Sequence, residues 1–226
     1  MNANLAPFLD PALVVSYAEE TPKKVPGFAD LHRMTAILLA EQAPDDGQIL
    51  VVGAGGGLEL VALAEARPGW RFTGVDPSPA MLAIASQKTA PIADRVKLLE
   101  GTIDAAPLGP FDGATCLLTL HFLHRDERLR TLSEIRRRMR AGATLVIAHH
   151  TAPDGSMERW LARSAAFAGR SDSSAEIALA SASAMAERLP LMSPSEEEGL
   201  MRAAGFVEPA LFYAGFSFRG WVALAG

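Results

Sequence analysis

The chain has 226 residues, 49% of them hydrophobic and 21% charged, with a formal net charge of −5. That is enough apolar chain for one good-sized α/β domain with a cap, and too little charge for long disordered stretches. The acidic balance argues against a nucleic-acid backbone as the main partner, and a single cysteine, Cys116, excludes a disulfide framework.

Taken from the N-terminus, residues Met1 to Asp10 lack the basic start and long apolar core of a signal peptide. No stretch approaches the roughly 18 uninterrupted apolar residues of a membrane span, so the expectation is a cytoplasmic protein. Phe28, Leu31, Ile37, Leu38 and Leu39 recur at helical spacing over 28–42, between Pro26-Gly27 and Ala43-Pro44. Gln48 to Val52 reads as a buried strand, Leu58 to Ala66 as a helix, and Arg71 to Val75 as a second strand. Pro77 to Lys88 is a helix with Asp76 or Ser78 as cap. Val96 to Leu99 and Gly113 to Leu118 are strands, Glu127 to Arg140 a helix ended by Gly142, and Ala143 to Ala148 a fifth strand. Arg136, Arg137, Arg138 and Arg140 fall late in that helix, where cations suit the macrodipole and face water.

Such alternation of apolar strands and helices predicts a three-layer α/β/α, Rossmann-like sheet. The last third differs. Residues 154–190 read as one or two helices, a cap or lid in which Met157, Trp160, Phe167 and Met185 would offer an apolar surface, also suited to a homodimer. Pro194 to Ala204 is a helix with Ser195 as cap and Glu198 three residues on. Phe206 to Tyr213 and Phe216 to Leu224 are strands of a closing antiparallel hairpin. The expected division is a helical cap over 1–45, a core over 46–150 and 192–226, and a helical insert over 151–191.

The most informative segment is Ile49-Leu50-Val51-Val52-Gly53-Ala54-Gly55-Gly56-Gly57. A buried strand delivers a glycine turn, and glycines let a ligand approach the backbone without a Cβ clash. Such loops lie at the carboxyl ends of strands, where open α/β sheets bind ligands. Asp76, closing the second strand 19 residues after Gly57, could accept both ribose hydroxyls of a nucleoside. A dinucleotide fingerprint counted from Gly53 fails at its third glycine, where Leu58 stands, so an S-adenosyl nucleoside fits better than NAD.

At these residues the sequence resembles the class I S-adenosylmethionine-dependent methyltransferases. Leu50 to Gly57 looks like their first motif and Asp76 like the acid of their second. Glu100-Gly101-Thr102-Ile103-Asp104 stands where the family wraps the adenine. Phe111-Asp112-Gly113 through Thr119-Leu120-His121-Phe122-Leu123 looks like the fourth strand and the loop beside the methyl donor, and Ala203-Ala204-Gly205-Phe206 like the step into the sixth. A nearer likeness, in Val25-Pro26-Gly27-Phe28 and Thr119 to Leu123, is to the carboxy-S-adenosylmethionine synthase group. It departs at Phe28, where that group has Tyr, and at Leu117, where it has Asn; Val51 replaces the acid usual in the family's first motif. The resemblance implies S-adenosylmethionine as cofactor. Its backbone cradle would be Gly53, Ala54, Gly55 and Gly57, with Asp76, Pro77 and Met81 at the ribose side and Thr102 and Ile103 at the adenine. Thr119 would lie at the methyl-donor end, and Phe28 would close over it.

Alignment and desolvation supply most of the rate of methyl transfer, though an oxygen or nitrogen acceptor can need a general base. His121, after the fourth strand, is the candidate; His124, His149 and His150 are weaker ones. Tyr17 could hydrogen-bond substrate or cofactor, and Arg33 could pair the methionine carboxylate. No metal site is expected, because the paired histidines lack a carboxylate at ligand spacing. The predicted function is methyl transfer to a small acceptor. The alternatives are a carboxy-S-adenosylmethionine-related enzyme and a non-catalytic nucleoside-binding protein.

Overall fold

The computed structural model describes residues 20–151, 157–169 and 175–226. A helical stretch over 20–24 leads to α1 (Phe28–Ala40). Then come β1 (Gln48–Val52), α2 (Leu58–Ala66), β2 (Arg71–Asp76), α3 (Pro79–Lys88), β3 (Val96–Glu100), β4 (Phe111–Leu117), α4 (Arg125–Arg138) and β5 (Met139–His150). Helices α5 (Met157–Ala168), α6 (Ala175–Arg188) and α7 (Pro194–Ala203) precede β6 (Phe206–Gly215) and β7 (Phe218–Ala225). Among the described residues no helix is long and apolar enough to cross a membrane.

The strands form one sheet in the order β3-β2-β1-β4-β5-β7-β6. The first five pair in parallel and β7 runs antiparallel to both its neighbours. Apolar residues cover both faces. Leu31 and Leu39 of α1 and Leu60 and Leu63 of α2 pack on one side with Val51. Leu132 and Ile135 of α4 and Leu200 and Met201 of α7 pack on the other with Leu50. This is the Rossmann-like three-layer arrangement.

The antiparallel strand is not the edge, as a simple closing hairpin would make it. β7 inserts between β5 and β6, and β6 takes the edge. The residues explain the exchange. β7 has Trp221 fully buried and its alternate positions inside, whereas β6 contains Pro209, which lacks an N–H for the ladder, next to a register shift between Val207 and Ala210.

Three local expectations change. Helix α4 stops at Arg138 and Met139 already starts the strand, pairing with Phe111. Gly142 therefore lies inside β5, at φ 73°. The basic run is consequently split: Arg138 is buried, donating to Ala106 O at 3.2 Å and pairing with Glu134, while Arg140 Nε meets Asp112 Oδ1 at 2.9 Å. The cap of α7 is Ser193 with Glu196, not Ser195 with Glu198. Pro194 suits the first helical position, so the residue before it is the cap.

Candidate functional site

The tips of β1, β2 and β4 open into a cavity of about 600 Å³. Its floor is the glycine loop. Gly53, Gly55 and Gly57 all have positive φ, the region that favours glycine. A Cβ on Gly53 would lie 2.0 Å from Thr119 Oγ1, and one on Gly57 2.9 Å from the Ala85 Cα, so packing forbids side chains there. At Gly55 the reverse holds. An added Cβ would meet nothing nearer than Gly53 O at 3.8 Å, so this backbone is bare towards the cavity.

Asp76 holds the loop. Its Oδ2 accepts the Gly55 N–H and its Oδ1 the Ser78 N–H, each at 2.9 Å. Burial raises the pKa of the carboxyl, and the Ser78 and Gly55 amides partly offset that. Ser78 then caps α3 by accepting from Met81 N at 3.1 Å. A carboxylate has about four lone-pair sites, so these two bonds leave it able to receive ribose hydroxyls.

Of the residues expected at the site, Phe28, Gly53, Ala54, Gly55, Gly57, Asp76, Pro77, Met81, Thr102, Ile103 and Thr119 all border this one cavity. Arg33 and His121 do not. Arg33 follows the cavity-lining His32 by one position, about 100° round the helix, and is exposed. His121 sits on the 3-10 turn Leu120–Phe122, which sends its ring behind the cavity wall and leaves Phe122 facing in. There it is buried 5.1 Å from the His150 ring and 6.4 Å from His149, and burial holds its pKa well below the ordinary value. Neither His149 nor His150 borders the cavity, and His124 is the exposed residue before α4. The imidazoles do not form a group arranged to hold a metal among the described residues. Tyr17 lies outside the described residues.

Instead, His150 Nδ1 bonds Ser217 Oγ at 2.7 Å, which meets Ser164 Oγ of α5 at 2.6 Å. His149 Nε2 lies 3.0 Å from Glu197 Oε1, and the same carboxylate pairs with fully buried Arg128. Burial alone would raise the Glu197 pKa; His149 and Arg128 reverse that and leave it lowered. These are structural ties between α4, α7, β5 and the insert. Among the described residues, none of α5 or α6 borders this cavity, and the two helices pack on each other. Phe167 turns to Phe216, and Trp160 lies under the Arg163 and Arg219 guanidiniums.

Residues not singled out in the sequence complete the walls. Leu118 borders the cavity with a strained φ of 55°, fixed by its N–H bond to Ala148 O at 2.6 Å. Glu59, buried in the first turn of α2, borders it, and burial pushes its carboxyl up to about 7 against the opposing effect of the Thr115 hydroxyl. His32 lies one helical turn from Phe28 with ring centroids 4.4 Å apart. The i, i+4 spacing from Phe28 was the signal that could have found it.

Residues 50–145 match the family model of a methyltransferase domain. Among curated relatives of this domain, a carboxy-S-adenosyl-L-methionine synthase from Campylobacter lari is 26% identical over 125 residues, 55% of this chain and 53% of that protein. Among solved structures, PigF with SAH has a TM-score of 0.69 at 19% identity, over 97% of this chain and 61% of that one. An O-methyltransferase family 2 protein from Planctomyces limnophilus, in complex with apigenin, has a TM-score of 0.60 at 20% identity, over 88% and 62%. The chain thus spans about half the length of the curated relative and about three fifths of each solved structure.

Proposed function

We propose that the protein is an S-adenosylmethionine-dependent methyltransferase acting on a small acceptor. The observation that carries this reading is one cavity bordered by the bare backbone of Gly55, the carboxylate of Asp76, and Thr102 with Ile103 beyond it. The residues fit an S-adenosyl nucleoside. Asp76 would take the ribose hydroxyls, Thr102 and Ile103 would flank the adenine, and the glycine loop would carry the methionine part. The sulfonium end would then lie over β1 and β4, towards Leu118, Thr119, Phe28 and His32. When bound, the cofactor supplies an activated methyl group; the protein's part is to align it with the acceptor and exclude water. SAH in PigF and the synthase relative support the same nucleoside. The largely apolar outer wall of Phe28, Leu118, Phe122 and Leu123 favours a small acceptor over a nucleic acid. A cytoplasmic setting belongs to the same proposal, since the sole cysteine is a buried thiol.

Isothermal titration with S-adenosylmethionine, S-adenosylhomocysteine, carboxy-S-adenosylmethionine and NAD tests the reading. S-adenosylmethionine and S-adenosylhomocysteine should bind, and Gly55→Val, which fills the open space above the loop, should abolish binding. Binding of NAD alone would end it. Preference for the carboxylated cofactor would favour the second reading, a relative of the Campylobacter lari synthase, which the 26% identity keeps in view.

A further inference from the structure

We propose that His32 is the catalytic residue that takes the acceptor's proton, and that the acceptor is a small uncharged molecule presenting a phenolic hydroxyl. This rests on the donor-site reading above and deepens it.

Among the histidines of the described residues, His32 is the one bordering the cavity. It stands on α1, where Leu31 and Leu39 anchor the helix over Val51 and Leu117, at the β1–β4 side where the donor-site reading would put the sulfonium end. It makes no hydrogen bond among the described residues, and its ring contact is the edge-on packing with Phe28. With no protein partner among these residues, its ring nitrogens are left to the cavity's water or to a ligand. Burial also lowers its pKa to about 4, so the ring is neutral around neutral pH and keeps a lone pair free.

The surroundings select the acceptor. Phe28, Phe122, Leu118 and Leu123 make an apolar wall that suits an aromatic ring. A carboxylate or phosphate acceptor would need a cation, and Arg130 at the rim is already bound to both oxygens of Asp104 at 3.0 and 2.9 Å. A protonated amine would place a second positive charge beside the sulfonium. A phenol enters neutral, with little desolvation cost, and has one proton to lose.

The step balances. The phenolic oxygen forms a bond to the methyl carbon as the carbon–sulfur bond breaks, with its electron pair staying on sulfur. The O–H proton passes to the free ring nitrogen of His32. A base this weak does not ionise the phenol beforehand. It accepts the proton once the oxygen, bonding to carbon, becomes oxonium-like and strongly acidic. His32 returns the proton to water when product leaves.

The probe is catechol, un-ionised at neutral pH, with its dimethyl ether as control, titrated by calorimetry into protein saturated with S-adenosylhomocysteine. Wild type should bind catechol about tenfold or more tighter than the ether, and His32→Phe, which preserves the packing against Phe28, should lose that advantage. The S-adenosylhomocysteine affinity of His32→Phe should stay within about twofold of wild type. With S-adenosylmethionine, transfer to catechol should fall about a hundredfold or more in His32→Phe, and added imidazole should restore part of it in His32→Ala. Equal binding of catechol and ether by wild type, or undiminished transfer in His32→Phe, overturns the proposal. Failure of wild type to bind S-adenosylhomocysteine at all is separately visible and would instead strike the donor-site reading.

Discussion

Asp76→Ala removes a carboxylate with two tasks. It holds the amides of Gly55 and Ser78, each at 2.9 Å, and its remaining lone pairs face the nucleoside site. A hydrogen bond to a charged group contributes about 1.5–3 kcal/mol. Two ribose contacts share one desolvated carboxylate, so they do not add fully, and S-adenosylhomocysteine binding should weaken by about 2–3 kcal/mol, roughly 30- to 150-fold. Stability should change less. The Gly55 amide can take water from the cavity, whereas the buried Ser78 amide cannot, which puts the loss at about 1–2 kcal/mol. Part of that is offset, since burial already disfavours the Asp76 charge. Asp76→Asn separates the two tasks: it can accept from one amide, but its NH2 opposes the other. Calorimetric titration and urea unfolding read the two effects independently. Unchanged affinity in Asp76→Ala, even with lost stability, would show that the ribose is held elsewhere and refute the reasoning.

Two further outcomes follow from buried charge. Glu59 has a folded pKa raised from 4.5 to about 7, so its favourable contribution is present below the unfolded value and is lost as pH rises through the folded one. Ligand-free Glu59→Gln should match wild type near pH 5 and exceed it by up to about 3 kcal/mol near pH 8; a difference in thermal midpoint that stays constant over this range would contradict the assignment. Arg128→Met strands Glu197 in the core with His149 as its one remaining ionic partner among the described residues. It should cost about 3–5 kcal/mol, while Arg128→Met with Glu197→Leu should recover much of the loss. Urea midpoints would check this, and a single variant no worse than the double would sink it.

Much of the cavity floor was legible in the sequence because it is local. A strand, a glycine turn and a helix follow one another in the chain, and Asp76 ends the next strand of the same unit. β1 and β2 are parallel neighbours in register from Gln48 with Arg71 to Val52 with Val75. Those parts meet wherever the β-α-β unit forms, and right-handed crossover allows little choice. Caps were harder by two residues at Ser193, because two serines flank one proline.

The outer wall of the cavity was not legible, since it depends on how distant elements lie across the sheet. His121 follows the fourth strand just as expected, yet one short turn places its ring behind the wall. His32 gives no sign of chemistry in its own sequence neighbourhood; it reaches the cavity because α1 packs over the sheet beside Val51 and Leu117. Arg128 and Glu197 are 69 residues apart, and only the packing of α4 on α7 makes them partners.

What the amino-acid order determined by itself was the run of strands and helices, the glycine turn and the acid beyond it, because backbone preference and apolar periodicity act over a few residues. The order of β7 and β6, the packing of α5 on α6 and the choice of which histidine faces the cavity were decided only in three dimensions. Burial and side-chain direction there are properties of packed surfaces, which no short stretch of chain contains.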